Sequence, residues 1–253
     1  MNNRPRPLVS LIVPSWGDDE LVAGLVERLP TAPEVAEWVI ASVEPFHKIR
    51  DLERFGALRI VQCPEPSRGR QMNLGASVAS GRLLCFHHAD SDLQAAHLEA
   101  LAAVATDESI IGGAFHRHFD NRHPVLRCAE PLMRRLSSMA GPLFGDQSLF
   151  VKARVFAEIK GFADIPLMED LEFSRRLRRT GRVVLLDPPM ASSARRFEQL
   201  GSWRTTALNA AFVALFYLGV SPRRLHRWYY RHRLSSRTEL TRATAFPGEL
   251  FRE

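Results

Sequence analysis

Over the first hundred residues, short apolar runs alternate with segments of helical spacing, and this alternation restricts the fold more than any other feature of the chain. Leu8–Val13 is an apolar, β-branched run closed by Pro14 and reads as a buried strand. Asp18–Leu29 places Leu21, Leu25 and Leu29 at intervals of four, the spacing of one helix face. Trp38–Val43 and Ala57–Val61 read as the next strands, and Gln71–Ala79 as a helix stopped by Gly81. Leu83–Phe86 is a fourth strand; the polar loop His87–Asp92 and an Ala- and Leu-rich helix, Leu93–Ala105, follow it. The order predicts the α/β class, with a mostly parallel sheet covered by helices on both faces. Ligands of such sheets sit beyond the carboxyl ends of the strands. Pro14-Ser15-Trp16, Ser42-Val43-Glu44 and His87–Asp92 are therefore expected at one mouth.

The second half is less regular. Ser109–His118 reads as a strand carrying Gly112-Gly113, Val125–Met139 as a helix, and Gly145–Val151 as a turn and strand. Met168–Arg179 reads as a helix and Arg182–Leu186 as a strand. No Gly- or Ser-rich linker and no internal repeat is present, so residues 1–200 are read as one domain and 201–253 as a C-terminal helical extension and tail.

In that extension Thr205–Val220 is largely apolar but contains Asn209. As a helix it would span roughly 24 Å, short of the ~30 Å hydrocarbon core. Arg223-Arg224-Leu225-His226-Arg227-Trp228-Tyr229-Tyr230-Arg231-His232-Arg233 comes next. An apolar helix followed by a basic, aromatic one suits peripheral membrane contact through 205–233. A core helix with a solvated partner, or a contact between copies of an oligomer, are the alternatives.

The 253 residues are 45% hydrophobic, enough for a core, and the net charge of +6 gathers in arginine clusters at 175–179, 195–196 and 223–237. No nucleic-acid recognition motif accompanies the charge, so nucleic acid is not expected as a partner. The three cysteines, Cys63, Cys85 and Cys128, show no CxxC pair and fit a reducing compartment. The polar start and the short Leu8–Pro14 run do not make an export signal, so a cytoplasmic location is expected, with the inner membrane face as the docking alternative.

Four segments carry residues suited to chemistry. In His88-Ala89-Asp90-Ser91-Asp92, alternate side chains of an extended loop would share a face, and carboxylates there suit Mg2+ or Mn2+ bridging to a diphosphate; capping of the next helix by an aspartate is the alternative. Ser67-Arg68-Gly69-Arg70-Gln71-Met72-Asn73 sets two arginines at a helix start, where forks and helix N-terminus favour phosphate, without the spacing of a P-loop. Glu169-Asp170 offers a general base toward an acceptor hydroxyl, or simply complements the helix dipole. Gly145-Asp146-Gln147 is a polar turn able to hydrogen-bond a sugar, or an Asp-stabilised turn.

In their order these segments resemble the family 2 glycosyltransferases, inverting enzymes of the GT-A fold, over roughly residues 8 to 230. RGRQMN, HAD, GDQSLFV, PLMEDLEFSRRLRR and SARR are similar to a subgroup linked to arsenosugar biosynthesis. The resemblance implies a GT-A type, Rossmann-like mixed sheet and sugar transfer from a nucleotide-sugar donor, a UDP-sugar, to an unknown hydroxyl. Asp170 would be the catalytic base and Asp90 the ligand of the divalent metal, Mg2+ or Mn2+. Pro14, Ser15, Ser42, Glu44, Arg68, Arg70, Asn73, His88 and Ala89 would contact the nucleotide. Gly113, Asp146, Gln147 and Glu169 would lie on the sugar and acceptor side. Two positions depart from the family pattern: Ser42 or Glu44 stands where an aspartate meets the base, and His88 replaces the first aspartate of the DXD motif. A non-catalytic nucleotide-sugar-binding protein on the same scaffold is the alternative these departures leave.

Overall fold

The first apolar run becomes the middle of a sheet. The computed structural model describes residues 6–28, 35–44, 57–119, 135, 141–192 and 202–229. Within them β1 (Val9–Ser15) is followed by α1 (Asp19–Arg28), β2 (Ala36–Ser42), β3 (Ala57–Gln62), α2 (Arg68–Val78), β4 (Leu83–Phe86), α3 (Ala95–Thr106) and β5 (Gly112–Phe119). A 3-10 turn, Gly145–Gln147, then leads to β6 (Leu149–Lys152), α4 (Ala153–Glu158), α5 (Glu169–Thr180), β7 (Val183–Ser192) and α6 (Ser202–Tyr217). A last helix, α7, covers 222–229.

The strands form one seven-stranded sheet in the order β3-β2-β1-β4-β6-β5-β7. β1 runs parallel to β2 and β4, and β2 parallel to β3. β6 runs antiparallel to both β4 and β5, while β5 and β7 are parallel. The mixed, mostly parallel sheet is the expected class; nothing in the sequence marks β6 as reversed, because a short strand reads the same in either direction. The short α4 behind it was likewise not anticipated. The helix expected over Val125–Met139 and the tail from Ser235 lie outside the described residues.

Alternation along β1 divides the core. Leu11 and Val13 pack with Trp38, Ile40 and Cys85 against Val22, Leu25 and Val26 of α1 and Leu98, Leu101 and Val104 of α3. Ile12 points the other way, with Val39, Leu84 and Phe86, against Met72 of α2, Phe156 of α4, and Phe173 and Leu177 of α5. On that second face Phe162 stacks on Phe173 at 4.3 Å and meets Phe86 edge-on at 4.8 Å. Burying one such ring contributes roughly 1.5–3 kcal/mol, so this cluster seats α5 firmly beside the end of β4.

Two glycines permit close approach. A methyl on Gly75 would lie 2.5 Å from Ile12 Cγ2, so α2 can settle onto β1 only with glycine there. A methyl on Gly113 would lie 2.0 Å from the Val184 carbonyl and 2.7 Å from the Phe150 ring. Gly113 therefore permits close strand packing inside the sheet.

Candidate active site

Parallel pairing brings the ends of β1, β2 and β4 to one edge. Ser15 stands in register with Ser42, and the His87 amide continues the ladder by donating to the Ile12 carbonyl. Pro14-Ser15-Trp16, Ser42-Val43-Glu44 and the loop after Phe86 therefore do share a mouth. Gln71, unassigned from the sequence, ties α2 to this edge. Its buried Nε2 donates to the Ser15 carbonyl at 2.8 Å and the Ala41 carbonyl at 2.9 Å. The signal was present: Gln71 and Gly75 are one turn apart on the stripe where α2 meets the strands.

The first loop is fixed internally. Ser15 Oγ donates to Asp18 Oδ1 at 2.6 Å, and the Trp16 amide donates to the same oxygen at 2.8 Å. Trp16 is left exposed on the lip of the mouth. Ser42 is buried, and its hydroxyl donates to the Glu44 carbonyl at 2.7 Å. Glu44 itself is exposed.

Residues 88–91 form a turn, closed by the Ser91 amide on the His88 carbonyl at 3.1 Å, where an extended loop was expected. The alternation nevertheless holds in burial. His87, Ala89, Ser91 and Leu93 are buried, whereas Asp90 and Asp92 are exposed and His88 is half-buried. Asp92 accepts from Gln94 Nε2 at 2.8 Å, and Gln94, rather than Asp90 or Asp92, is the N-cap residue of α3. Among the described residues no three His, Cys, Asp or Glu side chains gather as a metal cage. A single free-standing carboxylate such as Asp90 still suits Mg2+ or Mn2+, which commonly takes one or two protein carboxylates and draws its other ligands from phosphate and water.

The carboxylate pair heads α5, which it complements as acids in the first turn. Met168 just before it has φ +69, a left-handed conformation that a methionine adopts only at a cost. Asp170 is recessed but not sealed. Its Oδ2 accepts from the Gly145 amide at 2.8 Å, and its Oδ1 from the Leu171 amide at 2.8 Å. A methyl on Gly145 would lie 2.8 Å from His88 Nε2 and 3.5 Å from Asp170 Oδ2. Gly145 is thus the point where the turn after β4 and the head of α5 meet. Arg68 Nη1 stands 3.9 Å from Glu169 Oε1, with the arginine half-exposed and the glutamate buried.

These surroundings set the protonation of the pair. Burial, then the charge of Asp170, raises Glu169, while Arg68 draws it back. Burial also raises Asp170, opposed by the Gly145 and Leu171 amides and by Arg68. Burial is the main cause for both carboxylates, with the Asp170 charge adding to Glu169 and the Asp146 charge to Asp170.

Behind the mouth lies a buried pair, His87 Nδ1 and Ser148 Oγ, 2.7 Å apart. It joins the end of β4 to the turn that carries Gly145, and Ser148 takes φ +51 to close that turn. Burial holds the His87 imidazole neutral, down to about 4.

Other expected residues have structural partners. Asn73 clamps the backbone of Phe162, donating to its carbonyl at 2.9 Å and accepting its amide at 2.8 Å. Arg70 lies against Asp164 and Glu65. Gln147 is buried, with Nε2 donating to the Phe115 carbonyl at 3.0 Å and Oε1 accepting the Phe144 amide at 2.9 Å. Asp146 pairs with Arg117, whose guanidinium lies 4.8 Å from the centre of the Phe144 ring. Asn73 and Gln147 thus both hydrogen-bond backbone and position neighbouring loops.

The mixed sheet, its switch at β1 and β4, and the carboxylate-headed helix beside that edge define a GT-A type, Rossmann-like fold. The chain is similar to the mannosyltransferase PcManGT from Pyrobaculum calidifontis, solved with GDP-Man and Mn2+, at 16% identity and a TM-score of 0.61; 96% of this chain and 77% of that one are covered. It is also similar to S. aureus TarS 1-349, at 14% identity and TM-score 0.57, and to the same fragment in complex with UDP-GlcNAc, at 15% and 0.59. The TarS matches cover 74% of this chain and 60% and 58% of those chains, less than two thirds of their length. Likeness at these identities is one of fold. No family model and no curated protein matches the sequence.

Proposed function

We propose that the protein is an inverting, family 2-like glycosyltransferase that moves a hexosyl group from a nucleotide sugar, a UDP-sugar, to a hydroxyl acceptor. One observation carries the reading: Asp170, recessed and aligned by the Gly145 amide, faces the same edge as the ends of β1, β2 and β4. That edge is where ligands of such sheets bind. The similarity to structures solved with GDP-Man and UDP-GlcNAc supports the donor class.

In this reading the nucleotide lies against Pro14, Ser15, Ser42 and Glu44, and Arg68 and the turn at His88-Ala89 face its diphosphate. Asp90 would hold Mg2+ or Mn2+, whose chemistry is to neutralise charge on the departing diphosphate. Asp170 takes the proton of the acceptor hydroxyl as that oxygen attacks the anomeric carbon. The bond from that carbon to the diphosphate oxygen breaks, and its electron pair leaves with the nucleotide. Attack from the opposite side inverts the centre without a covalent enzyme intermediate. Glu169 and Arg68 tune the base and Asp146 lines the acceptor side.

Asp170→Asn keeps the shape and one of the two amide contacts, since its amide nitrogen cannot accept the second N–H, and it removes the base. Donor binding by calorimetry should stay within about threefold, while transfer falls by roughly 10²–10⁴. Full transfer activity in Asp170→Asn would remove this residue from the role. Asp90→Ala should abolish the Mn2+-dependent part of donor binding; equal binding with and without Mn2+ in both proteins would refute the metal assignment.

A further inference from the structure

Helix α6 breaks the usual relation between composition and burial. Residues 207–217 contain no charged side chain, yet Ala207, Leu208, Asn209, Ala210, Ala211, Ala214 and Tyr217 are exposed. A helix apolar on all sides is normally buried. Phe212 alone is fully covered along that stretch, and its ring meets Tyr229 of α7 at 5.6 Å. Of the six large hydrophobic side chains exposed among the described residues, four belong to this helical pair: Leu208, Tyr217, Leu218 and Trp228. Leu218, at the bend between the helices, is 79% exposed.

The second helix supplies charge beside this apolar surface. Leu225 is buried and His226 and Tyr229 are half-buried, so the inner stripe of α7 packs inward at helical spacing. Its outer face presents Arg223, Arg224, Arg227 and Trp228, all exposed. Apolar side chains flanked by arginines and a tryptophan match the layering of an anionic bilayer surface, with acyl chains below and phosphate at the headgroups. No described helix is long and apolar enough to cross a membrane.

We propose that α6 and α7 dock the protein on an anionic phospholipid surface, with Leu218 and Trp228 inserted and Arg223, Arg224 and Arg227 at the headgroups.

Vesicle sedimentation of the full chain tests the docking without any turnover. Phosphatidylcholine vesicles containing phosphatidylglycerol should bind the protein, and pure phosphatidylcholine should bind it at least tenfold more weakly. Each arginine at an anionic surface strengthens binding about fivefold and is screened by salt, so R223S/R224S/R227S should bind far more weakly and salt should mimic it. L218E/W228E should lose binding while melting within a few degrees of the parent and retaining its donor-induced thermal shift. Equal binding of parent and both variants, or no binding of the parent to anionic vesicles, overturns the proposal. So does light scattering that finds a stable dimer dissociated by L218E/W228E, since a second copy would then cover the face. The donor-induced shift is read separately, so failure of docking and failure of the transferase reading are distinguishable.

Discussion

Gly145 shows how much of the site depends on a side chain that is missing. Its amide holds Asp170 Oδ2, and any β-carbon would meet His88 Nε2 at 2.8 Å. An imidazole can swing aside more cheaply than backbone can move. Gly145→Ala should therefore fold, with Tm lowered by no more than about 4 °C. It should displace His88 and loosen Asp170, and transfer should drop at least about tenfold, since small misplacements of reacting groups are costly. Unchanged steady-state transfer in this variant would show that the contact does not matter to the chemistry. Arg70 and Asn73 teach the reverse. Their types suit phosphate and sugar, but Arg70 lies against Asp164 and Asn73 grips Phe162.

At the level of elements, α2 and α5 are held to the sheet by different means. The first is pinned by Gln71 to β1 and β2 and by Asn73 to the turn before α5; the second is seated by the phenylalanine cluster. Asn73→Ala removes two partly buried hydrogen bonds and should lower unfolding stability by about 2 kcal/mol in urea titration. Leaving the midpoint unmoved would show the clamp to be dispensable. The β5–β7 pairing is less forgiving. In Gly113→Ala the new methyl would overlap the Val184 carbonyl at 2.0 Å, a rigid backbone group. The cost should exceed about 4 kcal/mol, and soluble, cooperatively folding protein at parental yield would contradict that.

For the molecule as a whole, His87 links stability to pH. Burial holds its folded value near 4, against 6.5 in an open chain. The unfolded chain therefore binds more protons between these values. The His87 contribution is fully present above pH 6.5 and is lost as pH falls toward 4, by about 3 kcal/mol in all. Glu169 and Asp170, raised by burial, act with the opposite sign, favouring the fold as they protonate. Chemical denaturation of the parent and His87→Gln at pH 7.5 and 4.5 isolates the histidine. The gap between the two proteins should move in favour of the variant on acidification; a constant gap would exclude His87 as the linked group.

The sequence by itself determined the α/β class, the identity of most strands and helices to within a few residues, and the meeting of three loops at one edge. Apolar runs and helical spacing specify those, and parallel pairing then forces the convergence. It also marked the carboxylate pair, though only through its place in the order of segments that resembles the family 2 glycosyltransferases, since adjacent acids at a helix start are otherwise common partners of the helix dipole. Only the tertiary structure decided that β6 runs backwards, that Gly113 and Asn73 serve packing, and that Gly145 holds Asp170. Those outcomes depend on which backbone lies within hydrogen-bonding or contact distance, and residues 25 or 89 positions apart carry no local trace of it. The exposure of α6 belongs to the same class: its apolar composition was legible, but whether that surface would be covered was not, since burial is a property of neighbours.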